Sequence, residues 1–65
     1  MKPHQLRVLE EKKELDIKSH KLFEFFGSEA FKSLGLEDQQ LLIKQADVMS
    51  EYSCILGDRI ELFTE

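Results

Sequence analysis

The chain is expected to fold as an all-α antiparallel helical hairpin, two long helices with a short helical turn between them, that self-associates. Three observations predict this. Apolar residues recur at three- and four-residue spacing through both halves of the 65-residue sequence. The only proline, Pro3, stands where a helix can begin, and Gly27 and Gly35 fall together near the middle, where one helix can stop and another start. No internal repeat, low-complexity tract or linker-like stretch interrupts the two halves, so residues 1–65 read as a single domain.

The first helix is expected from Pro3 or His4 to about Phe26. Val8, Leu15, Leu22 and Phe26 form its apolar line, joined near the end by Phe23 and Phe25. Leu6 and Ile17 fall on the opposite side as a second apolar spot. Gly27 is expected to end the helix in the left-handed conformation that glycine accepts without strain. Ser28 then reads as the N-cap of a single helical turn, with Phe31 and Leu34 directed back into the hairpin, and Gly35 closes it. A second long helix is expected from Leu36 to about Phe63, with Glu37 and Asp38 at the positive end of its dipole. Gly57 interrupts it at a cost of about 1 kcal/mol relative to alanine, and admits another backbone close by.

Size and charge exclude several function classes. A 65-residue chain buries a modest fraction of its surface and needs help to be stable. Cys54 is the only cysteine, so no disulfide forms within a monomer, and its bland role is that of a small buried or half-buried residue. Self-association is the expected help. Thirteen acidic against nine basic residues give a net charge of −4, which argues against binding duplex nucleic acid or an acidic membrane. The chain starts with Met1 and has no apolar run long enough for a signal peptide or a span, so a cytoplasmic location in the host cell is expected.

Polar residues on an apolar face supply the candidate site. Gln45, Tyr52 and Arg59 recur every seventh residue between two apolar rows of the second helix, Leu41, Val48, Ile55, Leu62 and Leu42, Met49, Leu56, Phe63. Burying an amide and a guanidinium there is unfavourable without partners. Two readings follow. The ladder fixes register between copies, with Arg59 paired to a glutamate such as Glu11, or it holds an anionic ligand through a phenol that stacks and a cation suited to phosphate. Lys12, Lys18 and His4, on the borders of the first helix, are secondary ligand candidates. Leu42, Met49, Leu56 and Phe63 are expected to form the oligomer interface.

Catalysis has little support. There is no Gly-rich phosphate loop, no HExxH and no nucleophile with an identifiable base. His4 and His20 lie about 24 Å apart along one helix, too far to share a metal. Neither metal nor cofactor is expected. Phe23, Phe25, Phe26 and Phe31 read as core rather than a base-stacking platform, since no excess of basic residues surrounds them.

The pattern Pro3-His4, Arg7-Val8, Glu11-Lys12, Glu14-Leu15-Asp16, Lys18, Leu22, Phe25, then Leu41-Leu42, Gln45, Met49, Tyr52, Ile55-Leu56 and Arg59-Ile60 resembles a family of very small crAss-phage-related proteins encoded by tailed phages and prophages. In size and helical-hairpin build the chain is also similar to phage anti-CBASS and anti-Thoeris sponge proteins, which sequester cyclic nucleotide-derived immune signals between subunits. The resemblance implies a non-enzymatic, oligomeric counter-defence protein with a cyclic oligonucleotide as ligand. The alternative is a helical interaction module that binds and modulates a host or phage protein.

Overall fold

The chain, seen in a computed structural model that describes residues 1–63, forms three helices: α1 (Pro3–Phe26), α2 (Glu29–Lys32) and α3 (Leu36–Glu61). The two long helices pack on each other as a hairpin. Pro3 opens α1, where its missing N–H costs no helical hydrogen bond. Gln5 reaches back one turn, and its Oε1 accepts from the Lys2 backbone N–H at 3.0 Å. That side chain is buried, which the sequence did not signal.

Gly27 ends α1, but not by the expected left-handed turn. Its φ of −88° and ψ of 0° lie in ordinary space, and none of the glycines has a positive φ. The cap is made by Ser28 instead. Its hydroxyl donates to the Phe25 carbonyl at 2.6 Å and accepts from the Phe31 N–H at 3.1 Å, so one side chain ties the end of α1 to the start of α2. A Cβ on Gly27 would meet only the Glu24 carbonyl oxygen, at 3.6 Å. Gly27→Ala should therefore leave the melting temperature unchanged or raised, since it removes unfolded-state freedom without native strain, by about 0.4–1 kcal/mol. A clear fall in thermal melts would contradict this backbone geometry.

The connection is fastened to α3 by Gln39. Its Nε2 lies 3.1 Å from the Phe31 carbonyl, 3.4 Å from that of Lys32 and 3.1 Å from that of Leu34. One amide thus gathers three carbonyls at the end of α2, of which that of Phe31 also accepts from the Leu34 N–H at 3.1 Å. Gln39→Leu should cost about 1–3 kcal/mol, because it removes these bonds and leaves the part-buried Leu34 carbonyl without this donor. Denaturant titration measures this, and an unchanged midpoint would show that solvent satisfies those carbonyls equally well. Phe31 also packs against Phe26 with ring centroids 5.0 Å apart and against Phe25 at 5.9 Å, which closes the turn end with an aromatic cluster.

Helix α3 runs to Glu61, slightly short of the expected end at Phe63, and Leu62 donates to the Arg59 carbonyl in its final turn. Two contacts define how α3 lies on α1. Ser53 donates to Asp16 at 2.5 Å, and the Cβ position of Gly57 lies 3.4 Å from the Lys12 Cε. Moving forward along α3 therefore moves backward along α1. Continued at coiled-coil spacing, that register sets Gln5, Val8, Lys12, Leu15, Ser19, Leu22 and Phe26 across from Phe63, Ile60, Leu56, Ser53, Met49, Ala46 and Leu42. Large faces small at Leu15 with Ser53, Ser19 with Met49, and Leu22 with Ala46. Such alternation lets the helices interdigitate.

This single seam makes a thin core. Among the described residues Val8, Ala46 and Leu56 are the buried apolar side chains, and of these Leu56 alone reaches 0% exposure. The molecule measures 49 × 14 × 13 Å with a radius of gyration of 15.0 Å. A compact domain of this length has a radius of about 11 Å. No helix among the described residues is long and apolar enough to cross a membrane.

Candidate functional site

The hairpin seam divides the rest of each helix into two flanks. In an antiparallel pair, residues just before the first seam position of each heptad share one flank, and residues just after the second share the other. His4, Glu11 and Lys18 of α1 accordingly fall on the same flank as Gln45, Tyr52 and Arg59 of α3. In this register Lys18 stands level with Tyr52, and Glu11 with Arg59. Leu9, Asp16 and Phe23 fall on the opposite flank with Ile43, Ser50 and Gly57.

Lys12 goes to that opposite flank, away from the ladder. Its Nζ lies 2.8 Å from Asp16 Oδ2, and its stem covers Gly57. Asp16 is held below the usual carboxylate pKa by the Lys12 ammonium first and by the Ser53 hydroxyl second. This Lys12–Asp16–Ser53 chain links the helices by side-chain hydrogen bonds. The sequence reading missed it, although the Lys12/Asp16 spacing was a signal for the half within α1.

The ladder itself is solvent-exposed in the single chain. Gln45 makes one weak contact, Nε2 to Met49 Sδ at 3.9 Å. Tyr52 and Arg59 are exposed, and among the described residues Arg59 forms no ion pair, with Glu11 or any other carboxylate. Lys18 and His4 are likewise exposed and unpaired among the described residues. His20 is a surface residue bonded to Glu24 at 2.7 Å. Cys54 is exposed, contrary to the buried or half-buried role expected for it, because it follows the seam residue Ser53 and turns away from α1.

The two apolar rows beside the ladder part company. Leu56 is fully buried within one chain, and Leu42, Met49 and Phe63 are half-buried by α1. Leu41, Val48, Ile55 and Leu62 are exposed. Leu6 and Ile17 are also exposed, as the second apolar spot requires. The ladder therefore runs between a covered row and an open one.

A depression of about 710 Å³ lies elsewhere. It is an open trough on the outer side of α1, around Lys13, Asp16, Ile17, His20 and Glu24. All its lining residues belong to one helix, so no opposite wall encloses a ligand. Among the described residues no three histidine, cysteine or carboxylate side chains cluster to hold a metal.

The molecule is thus a small helical hairpin whose second long helix carries a polar ladder beside an uncovered apolar row. The chain belongs to the Sequestin family, whose model matches residues 2–62. No curated protein and no solved structure matches it.

Proposed function

We propose that this protein is a non-enzymatic sponge, made by a phage or prophage, that acts in the host cytoplasm by sequestering a cyclic nucleotide-type immune signal between subunits. The observation that carries the reading is the exposed flank bearing Tyr52 and Arg59, with Lys18 level with Tyr52 across the hairpin and neither cation in an ion pair among the described residues. A phenol and two such cations on one flank are the groups a phosphorylated base needs: a surface to stack on and charge for its phosphates. The family's name, Sequestin, agrees with a sequestering role. One hairpin offers no second wall to this flank, so the pocket is completed by another copy. Gln45 extends the ladder at its far end. His4, about 10 Å beyond the level of Arg59 along α1, would contribute only at the edge of such a pocket, and Lys12 is committed to Asp16.

Titration calorimetry of the purified protein against a panel of cyclic di- and trinucleotides tests the proposal. Saturable binding of at least one member of the panel is expected. Absence of binding across the panel would sink the reading. It would favour the second one, an interaction module for a host or phage protein, which the exposed Leu41, Val48, Ile55 and Leu62 row supports.

A further inference from the structure

Helix α3 carries two complete heptad seams. One, Leu42, Ala46, Met49, Ser53, Leu56, Ile60 and Phe63, is occupied by α1. The other, Leu41, Gln45, Val48, Tyr52, Ile55, Arg59 and Leu62, has the same alternating three- and four-residue spacing and is uncovered from end to end. A helix with two such seams is built to touch two helices, and its own chain supplies one.

We infer that the second seam is filled by α3 of a second copy, packed antiparallel about a two-fold axis near residue 50. Area, polarity and charge each point to this occupant. The single chain exposes 5178 Å². A compact monomer of its 7.6 kDa mass would expose about 4,300 Å². The excess is close to the roughly 800 Å² that each partner contributes to a standard interface.

Polarity chooses the direction. A parallel pair would stack Gln45, Tyr52 and Arg59 each on its own copy, setting guanidinium against guanidinium. The antiparallel pair sets Val48 across from Tyr52 of the second copy, Gln45 from Ile55, and Leu41 from Arg59. Each polar rung then meets an aliphatic side chain. Arg59 lies near the end of the overlap, where its long stem covers leucine while its head stays in water, within reach of an anion.

Charge chooses the register. The outer edge of this seam carries Lys44, Glu51 and Asp58, and neither Lys44 nor Asp58 has an ion-pair partner among the described residues. With the axis near residue 50, Lys44 of each copy meets Asp58 of the other, and Glu51 meets Glu51 once at the centre. One heptad toward the C-terminus, Glu51 meets Asp58 twice; one heptad toward the N-terminus, Lys44 meets Glu51 twice but Glu37 meets Asp58 twice. The first arrangement sets two attractive pairs against one repulsive one, and neither alternative among the described residues has a net attraction.

A charge swap followed by sedimentation tests this interface without disturbing the hairpin, because both side chains lie on its surface. The wild type should sediment as a dimer, or as a larger even-numbered assembly, at micromolar concentration. Lys44→Glu and Asp58→Lys should each weaken association about tenfold or more, although they move net charge in opposite directions. The double variant, K44E with D58K, should restore it. A monomeric wild type, a single variant that associates normally, or a double variant no better than either single would overturn the inference. None of these outcomes depends on nucleotide binding: a monomeric wild type would remove the pocket between copies as well, whereas absence of nucleotide binding would leave the interface standing.

Discussion

Leu56→Asp should unfold the protein, whereas Ile55→Asp should leave its helices formed and abolish association. The two residues are neighbours in sequence and alike in chemistry, and only their placement differs. Leu56 is 0% exposed and Ile55 is 55% exposed in the single chain. A carboxylate at position 56 would sit in the seam, where the Lys12 ammonium across from it is already paired with Asp16, at a cost of several kcal/mol. Small domains with one thin core have about 3–5 kcal/mol to lose, so the hairpin should not survive. At position 55 the carboxylate stays hydrated in the monomer and is penalised only when a second helix covers it. Far-UV circular dichroism should therefore show lost helicity for Leu56→Asp alone, and sedimentation should show lost assembly for both. Equal loss of helicity in the two variants would mean that the rows do not have separate roles.

Ligand binding should fall on the order of a hundredfold in Arg59→Ala with the assembly intact, and more modestly in Tyr52→Phe, where the stacking ring survives. Loss of one or two charge-assisted hydrogen bonds to phosphate, at roughly 1.5–3 kcal/mol each, gives that magnitude. Wild-type affinity should also decline with added salt, since the flank is exposed and its charges are screened. Calorimetry with any nucleotide the wild type binds, paired with sedimentation of each variant, measures both effects. If the ladder serves register instead, the pattern reverses. Arg59→Leu should then keep or raise thermal stability while changing the assembly, because it removes a desolvation penalty together with the specificity that penalty enforced.

Much of the fold was legible before any coordinates. Pro3 and the heptad spacing placed α1, and α3 was found within two residues of its end. Ser28 was recognised as a cap because a hydroxyl before Glu29, Ala30 and Phe31 has few better uses. Gly27 misled because a glycine after an apolar run usually adopts positive φ, whereas here the serine already holds the chain end. Gln39 was read only as part of a helix entrance. Its function depends on carbonyls five to eight residues earlier, which no local pattern indicates.

The candidate site divided along the same line. Periodicity alone showed that Gln45, Tyr52 and Arg59 share a stripe between two apolar rows. It assigned Leu42, Met49, Leu56 and Phe63 to contact between copies, yet this row and Leu41, Val48, Ile55, Leu62 are equally apolar and equally spaced, so nothing in the spacing tells which of them α1 covers. Packing decided. The first row is interleaved with Ala46 and Ser53, small residues that stand across from Leu22 and Leu15 in this register. The second is interleaved with the ladder itself, which is too bulky and too polar to bury against a single helix. The sequence thus determined the helices, their ends and the stripe. Only the tertiary structure determined that the ladder faces outward, that Lys12 is drawn to Asp16 on the other flank, and that Leu56 rather than Ile55 is core, because each follows from which face a helix distant in sequence comes to occupy.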